Sequence, residues 1–119
     1  MDKKISPNFY RHEFACKCGC GFNTVDVELL TLCETVRQIN GHKPIEPNCG
    51  CRCQKHNIEV GGSQGSQHLK GRAADLPCDY PEIVYKELCK RYPDEYGFGL
   101  YGWGVHVDSR SKNSARWRG

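Results

Sequence analysis

The clearest pattern along the chain is a run of apolar residues at helical spacing, formed by Val25, Leu29, Leu32, Val36 and Ile39. Apolar side chains three or four residues apart lie on one face of a helix, so this run predicts a helix that packs against a core. Thr24 is the expected N-cap, because its hydroxyl can accept a hydrogen bond from a free backbone N–H. Gly41 lies just past the predicted end.

Three short apolar runs predict strands. Residues 73–76 form a buried run that Pro77 ends, because proline has no N–H to donate to a sheet. Residues 98–101 and 105–107 predict two more strands, joined by a glycine-rich turn around Trp103. The expected result is a small antiparallel sheet.

Two further helices are expected to flank this sheet. Residues 52–60 predict a short helix that Gly61 and Gly62 close, and Pro81 fits the first turn of another helix. The apolar residues of that last helix that should face inward are Ile83, Val84 and Leu88. The pattern as a whole predicts an α+β fold, a small antiparallel sheet with flanking helices.

The chain has 119 residues, of which 38% are hydrophobic and 26% charged, and this suits one globular domain over residues 1–119. Residues 1–23 are expected to wrap around the body as a loop. The net charge of +3 is too small and too scattered to indicate a nucleic-acid partner. Residues 110–119 form a basic tail, which is better explained as a solvated, frayed end than as a site for an anionic polymer. Its basic residues are Arg110, Lys112, Arg116 and Arg118.

The sequence lacks any stretch that approaches the roughly 18 apolar residues of a membrane span. Its N-terminus also lacks the apolar core of a signal peptide. We therefore expect synthesis in the cytoplasm without export by the usual route, and a monomeric chain.

Nine cysteines are present, an odd number, so at least one lies outside any intramolecular disulfide. One interpretation is a second, structural zinc ion on a subset of Cys16, Cys18, Cys20, Cys51 and Cys53. Cysteines two apart in an extended chain chelate one ion poorly, so a disulfide between Cys53 and the first group, or free thiols, is favoured. Cys33 and Cys89 lie among apolar residues and are expected in the core.

The candidate chemistry begins with the run SQHLKGRAAD, residues 66–75. It places His68 seven residues before Asp75, and the two can meet at one ion if the chain turns between them, which Gly71 permits. Further along, His106 and Asp108 alternate with valines and so point to the same face of a strand. Two imidazoles and one carboxylate leave a fourth tetrahedral position for water, the pattern of a catalytic zinc site.

These residues also resemble a known family. The run SQHLKGRAAD is similar to the Ser-x-His-x-x-Gly-x-Ala-x-Asp signature of the zinc D-alanyl-D-alanine carboxypeptidases, which share the hedgehog/DD-peptidase fold and include phage L-alanyl-D-glutamate endolysins. The run GWGVHVDSR resembles the second signature of that family. Further similarity lies in SPNF, in CKCGCG and in RCQKHN before VGG, so the resemblance covers roughly residues 6 to 110.

The resemblance implies a role for each matching residue. His68, Asp75 and His106 correspond to the three zinc ligands. Arg52 corresponds to the arginine that holds the free carboxylate of the substrate, for which its rigid fork of donors is suited. Ser66 corresponds to a small residue at the substrate site that orients the first ligand, and it is equally well explained as a helix or turn cap.

The general base is the least defined role. Relatives carry a carboxylate shortly before the last histidine, whereas residues 100–105 contain no Asp or Glu. Asp108 is the best substitute, either as the base that accepts a proton from the attacking water or as a hydrogen-bond partner that orients His106. Both interpretations stay open at the level of sequence.

The implied function is zinc-dependent hydrolysis of an amide bond in peptidoglycan stem peptides, by a D,D-carboxypeptidase or an endopeptidase. Action at the cell wall after release through a phage pore, as by a phage or prophage lysin, would suit a small chain without a separate wall-binding domain. The alternative is a non-enzymatic cysteine-rich zinc module that binds protein or nucleic acid. The missing upstream carboxylate is the best support for that alternative.

Overall fold

The fold is built around a four-stranded sheet, here described from a computed structural model that covers residues 3–119. Along the chain the elements are β1 (Lys4–Ser6), β2 (Phe9–Tyr10), α1 (Val27–Ile39), α2 (Gln54–Glu59), β3 (Ala73–Pro77), α3 (Pro81–Arg91), β4 (Gly97–Tyr101), β5 (Gly104–Asp108) and β6 (Ala115–Arg118). Two short 3-10 helices, Arg11–Phe14 and Gln67–Lys70, complete the list. The predicted α+β class is confirmed.

The main sheet has the strand order β3-β5-β4-β6. Strand β5 pairs antiparallel with both β3 and β4, as the short turn at Gly102 and Trp103 predicts. Strand β6 pairs parallel with β4, so the sheet is mixed. Strands β1 and β2 form a separate antiparallel pair within the N-terminal segment, which was predicted to be an irregular loop.

One face of the main sheet carries the core. Alternate side chains of β3, β5 and β4 point to this face, where α1 and α3 cover them. The buried strand residues on this face are Ala74, Leu76, Phe98, Leu100, Val105 and Val107. The opposite face therefore receives the other half of each alternation, which includes Asp75, His106 and Asp108.

The helix α1 begins two residues later than its apolar pattern predicts. The carboxylate of Asp26 accepts a hydrogen bond from the N–H of Leu29 at 3.3 Å, so Asp26 and not Thr24 is the N-cap. The carbonyl of Thr24 instead accepts a hydrogen bond from the thiol of Cys51. Thr24 thus contacts Cys51, which is distant in the sequence, and lies outside the helix.

In α3 the structure corrects one inward position. Val84 and Leu88 are buried, but Ile83 is 60% exposed. The buried face of α3 is formed by Val84, Tyr85 and Leu88. At about 100° per residue, Ile83 lies about 200° from Tyr85 around the axis, so it points away from that face. Cys33 is buried as expected, and Cys89 packs partly buried against the core.

The basic tail is more ordered than its composition suggests. Residues 115–118 form β6, so the interpretation of a frayed end is wrong for this part of the tail. The guanidinium of Arg116 donates to the carbonyls of Tyr96 and Glu95, and Arg118 pairs with Glu82 at 3.1 Å. Separately, none of the helices within residues 3–119 is long and apolar enough to cross a membrane.

Gly71 offers a test of how the chain turns between His68 and Asp75. It has a φ of 68°, and an added Cβ would lie 2.5 Å from the carbonyl oxygen of Thr24. We expect Gly71→Ala to lower the free energy of unfolding by more than about 1 kcal/mol, measured by urea denaturation. Gly65→Ala is the matched control, because its Cβ would meet nothing within 4 Å. Equal effects of the two substitutions would contradict this account.

Candidate metal centre

The sheet register places two of the three predicted ligands opposite each other. Asp75 of β3 pairs directly with His106 of β5, and directly opposed residues of antiparallel strands point to the same face. His68 comes from the 3-10 helix Gln67–Lys70, which leads into β3 through Gly71. Ser66 caps this helix, because its hydroxyl accepts a hydrogen bond from the N–H of His68 at 3.2 Å.

One carboxylate oxygen of Asp75 contacts both predicted histidines. Oδ1 of Asp75 lies 3.4 Å from Nε2 of His68 and 3.0 Å from Nδ1 of His106. Ligands at about 2.0 to 2.1 Å from a tetrahedral zinc ion are about 3.3 Å apart. The separations of Asp75 from each of the two predicted histidines therefore match those between ligands of one zinc ion.

The hydrogen-bond partners of the two histidines define which nitrogen is free for a metal. Nδ1 of His68 lies 2.6 Å from the carbonyl oxygen of Gly50, which can only accept, so Nδ1 carries the proton. Nε2 of His106 lies 2.8 Å from Oδ2 of Asp108, and it donates to this carboxylate. Two nitrogen lone pairs thus face one carboxylate oxygen, an arrangement that needs a cation between them.

The pKa values indicate the same need for positive charge. Burial by itself lowers the pKa of His68, but the hydrogen bonds to Asp75 and Cys49 outweigh it and raise that pKa to about 9. Burial opposes the ionisation of Asp75, yet hydrogen bonds from His106 and His68 hold its pKa well below the usual range. Without a metal, a proton on His68 supplies the positive charge that zinc would bring.

Asp108 lies behind His106 and is fully buried, although it borders the cleft. Arg110 donates to both of its oxygens, from Nε to Oδ1 at 2.7 Å and from Nη2 to Oδ2 at 2.8 Å. Burial opposes ionisation, but Arg110 and His106 hold the pKa of Asp108 well below its usual range. Its carboxylate is therefore ionised, and both of its oxygens are engaged by protein donors.

A cavity of about 540 Å³ opens beside the three ligands. One wall is aromatic: the rings of Tyr101 and Trp103 stack at 5.2 Å, and the ring of Trp117 packs 4.9 Å from that of His106. The indole of Trp117 donates to the hydroxyl of Tyr101 at 2.8 Å, which fixes the two rings relative to each other. Trp103 is 44% exposed, so the rim of the cleft offers an aromatic surface to a ligand.

Arg52 and Ser66 also line this cavity. Nη1 of Arg52 donates to Oδ1 of Asn57 at 2.9 Å, and Asn57 in turn donates to the carbonyl of Ser63. Nε of Arg52 is buried and has no hydrogen-bond partner among residues 3–119. The side chain as a whole is half-buried at the cleft, and a guanidinium in that position is suited to bind an anionic ligand group.

Some residues at the centre were not identified from the sequence. Gly50 contributes only its carbonyl group, which no side-chain pattern reveals. Arg110 was assigned to the tail, and Trp117 follows it on β6, whose parallel pairing brings the indole over Gly99. Trp117 and the run HVDSR can both be read from the sequence, but no local sequence pattern indicates that these two segments meet.

Cys49 is a further neighbour, and with His68 and Asp75 it forms another set of donors close enough for a metal. Its sulfur lies 3.6 Å from Nδ1 of His68, the nitrogen that donates to Gly50. Cys49 contacts the side of the ring that carries Nδ1, whereas Nε2 of His68 faces Asp75, so His106 stays the predicted third ligand.

The structure is an α+β scaffold that carries His68, Asp75 and His106 beside one cleft. A model of the peptidase M15 family matches residues 7–108. The chain therefore belongs to the peptidase M15 family, that of the zinc D-alanyl-D-alanine carboxypeptidases, and is a zinc-dependent peptidase. A comparison with individual curated proteins gave no match.

Proton release provides a test of the site. A pKa of about 9 means that His68 is protonated at neutral pH in the metal-free chain, and zinc must displace that proton. We expect the wild type to release about one proton more on zinc binding near pH 7 than His68→Ala, with affinity that weakens as the pH falls below 9. Calorimetry in two buffers of different ionisation enthalpy measures this difference. Equal proton release by both chains would contradict a protonated His68 in the metal-free site, and an unchanged zinc affinity of His68→Ala would exclude His68 as a ligand.

Proposed function

We propose that this zinc peptidase hydrolyses an amide bond in the stem peptides of peptidoglycan, as a D,D-carboxypeptidase or as an endopeptidase such as an L-alanyl-D-glutamate peptidase. The observation that supports the proposal best is the guanidinium of Arg52, which lines the same cleft as the predicted metal donors. Stem peptides combine free carboxylates with small alanine side chains. Such a peptide suits a cleft that offers one guanidinium and an aromatic wall.

Each residue then has a distinct task. His68, Asp75 and His106 hold the zinc ion, which when bound acts as a Lewis acid and lowers the pKa of water. Arg52 holds a carboxylate of the substrate and so fixes the position of the scissile bond. Tyr101 and Trp103 pack against the remainder of the peptide.

For Asp108 we favour the role of a positioning residue over that of a general base. A base must reach the attacking water, whereas both oxygens of Asp108 are engaged by Arg110 and His106. A carboxylate that accepts the outer N–H of a ligand histidine fixes the orientation and tautomer of its ring. Gly97 supports this arrangement, because an added Cβ there would lie 2.4 Å from Oδ2 of Asp108.

Asp108→Asn separates the two roles. If Asp108 is a positioning residue, we expect the variant to bind zinc about 10- to 100-fold more weakly, and we expect added zinc to restore much of its activity. A general base predicts unchanged affinity, a lowered kcat that zinc does not restore, and loss of one limb of the pH–rate profile. Asp79→Asn serves as the control, because this carboxylate lies on the surface and pairs with Lys43. The second pattern would contradict our assignment.

The substrate is tested by mass spectrometry of muropeptides after incubation with the chain. We expect cleavage of one amide bond by the wild type and none by His106→Ala.

With a defined stem peptide, Arg52→Ala should raise KM by about 10- to 100-fold, because a bond to a charged group is lost. A peptide in which a carboxamide replaces the free carboxylate should bind equally well to the wild type and to Arg52→Ala. Arg91→Ala, at the exposed end of α3, controls for loss of charge.

A zinc-loaded wild type that leaves every muropeptide mass unchanged would contradict the proposed substrate. Zinc without turnover of any peptide would instead favour the alternative of a binding module. We prefer the enzyme because the three donors leave a coordination position open, which a structural site does not need. Release through a phage pore, as for an endolysin, is part of the same proposal.

A further inference from the structure

Four cysteine sulfur atoms form a second cluster outside the catalytic cleft. The Sγ atoms of Cys16, Cys18, Cys20 and Cys53 all lie within 4.8 Å of one another. Cys16 and Cys18 are separated by 3.4 Å between sulfurs, and Cys18 and Cys53 by 3.6 Å. All nine cysteines of the chain are free thiols in this structure.

The backbone of the N-terminal segment explains why cysteines two apart can meet. The chain turns sharply, with φ values of 82° at Gly19 and 91° at Gly21, so it is not extended. The N–H of Gly19 donates to the carbonyl of Cys16 at 3.2 Å, and the N–H of Cys16 donates to the carbonyl of Phe22 at 2.7 Å. The turn brings the three sulfurs of the segment toward Cys53, whereas an extended chain would spread them.

Backbone donors already point at two of the sulfurs. The N–H of Cys53 lies 3.4 Å from Sγ of Cys16, and the N–H of His56 lies 3.4 Å from Sγ of Cys53. The second contact makes Cys53 the N-cap of α2. Donors of this kind stabilise a sulfur that carries negative charge, as a metal-bound thiolate does.

Cys51, which the sequence analysis included in this group, points elsewhere. Its side chain is buried, and its thiol donates to the carbonyl of Thr24 at 2.6 Å. Cys53 is the N-cap of α2 and its sulfur lies with the other three, so Cys51 and Cys53 lie in different surroundings although they are only two residues apart. The structure therefore selects one set of four sulfurs from the cysteine-rich segments.

We propose that Cys16, Cys18, Cys20 and Cys53 bind a second zinc ion. Sulfurs about 2.3 Å from a tetrahedral zinc are about 3.8 Å apart, which agrees with the separations of 3.4 and 3.6 Å. Four thiolates fill the coordination sphere and leave no position for water, so the ion is structural. The four cysteines would bind a soft divalent metal whether or not the other site hydrolyses peptidoglycan.

The position of this second ion links two parts of the chain. It joins the turn of the N-terminal segment to the start of α2, one residue after Arg52. A backbone bond connects the same two segments, from the N–H of Cys51 to the carbonyl of Phe14 at 2.7 Å. Another, from the N–H of Arg52 to the carbonyl of His68 at 2.9 Å, joins Arg52 to the predicted metal site. The zinc ion would thus hold the segment that carries Arg52 against the body.

The experiment measures zinc content and zinc ligands in the full chain, purified under reducing conditions. We expect two zinc ions per wild-type chain and an X-ray absorption spectrum with a zinc–sulfur shell at about 2.3 Å. Cobalt substitution should give the thiolate-to-metal charge-transfer band in the near ultraviolet. Cys20→Ser should lose one of the two ions and this band, whereas Cys78→Ser, outside the cluster, should retain both.

His68→Ala distinguishes this proposal from the catalytic site. It should lose the other ion and keep the charge-transfer band, because its four thiolates are untouched. Absence of a zinc–sulfur shell from the spectrum of the wild type would overturn the proposal, and this result needs no variant. A Cys16–Cys53 or Cys18–Cys53 disulfide in the reduced preparation would also overturn it. Failure to cleave muropeptides would leave this result unaffected.

Discussion

The antiparallel pairing of β3 with β5 is the constraint from which the catalytic site follows. It places Asp75 opposite His106 on one face, while Ala74, Leu76, Val105 and Val107 enter the core on the other. A shift of one residue would exchange the two faces, burying a carboxylate and an imidazole and exposing the valines. The energy of core burial thus also holds the metal donors in register.

Electrostatics then decides the protonation of the site. Gly50 and Asp108 each accept the outer N–H of a histidine, so both imidazoles direct a lone pair at Asp75. Arg110 neutralises Asp108, which lets a fully buried carboxylate remain ionised behind His106. The zinc site therefore depends on partners outside the three ligands.

The segment from Cys49 to Cys53 connects the catalytic centre with the cysteine cluster. Gly50 and Arg52 contribute to the cleft, and Cys53 contributes to the group of four sulfurs. A small domain has limited core, and a structural metal is one way to hold such a segment in place. The proposed second zinc would stabilise the very strand-like stretch on which substrate binding relies.

Sequence alone determined the elements with strong periodicity, the α+β class, the family and the three candidate ligands, because these depend on local spacing and on motifs in order. It did not determine the helix cap at Asp26, the parallel strand β6, the place of Arg110 and Trp117 at the cleft, or which four cysteines meet. Each of these depends on contacts between residues far apart in the chain, which no local pattern encodes. The turn at Gly19 and Gly21 is the clearest case: the spacing of the cysteines argued against chelation, and the folded backbone brings their sulfurs together.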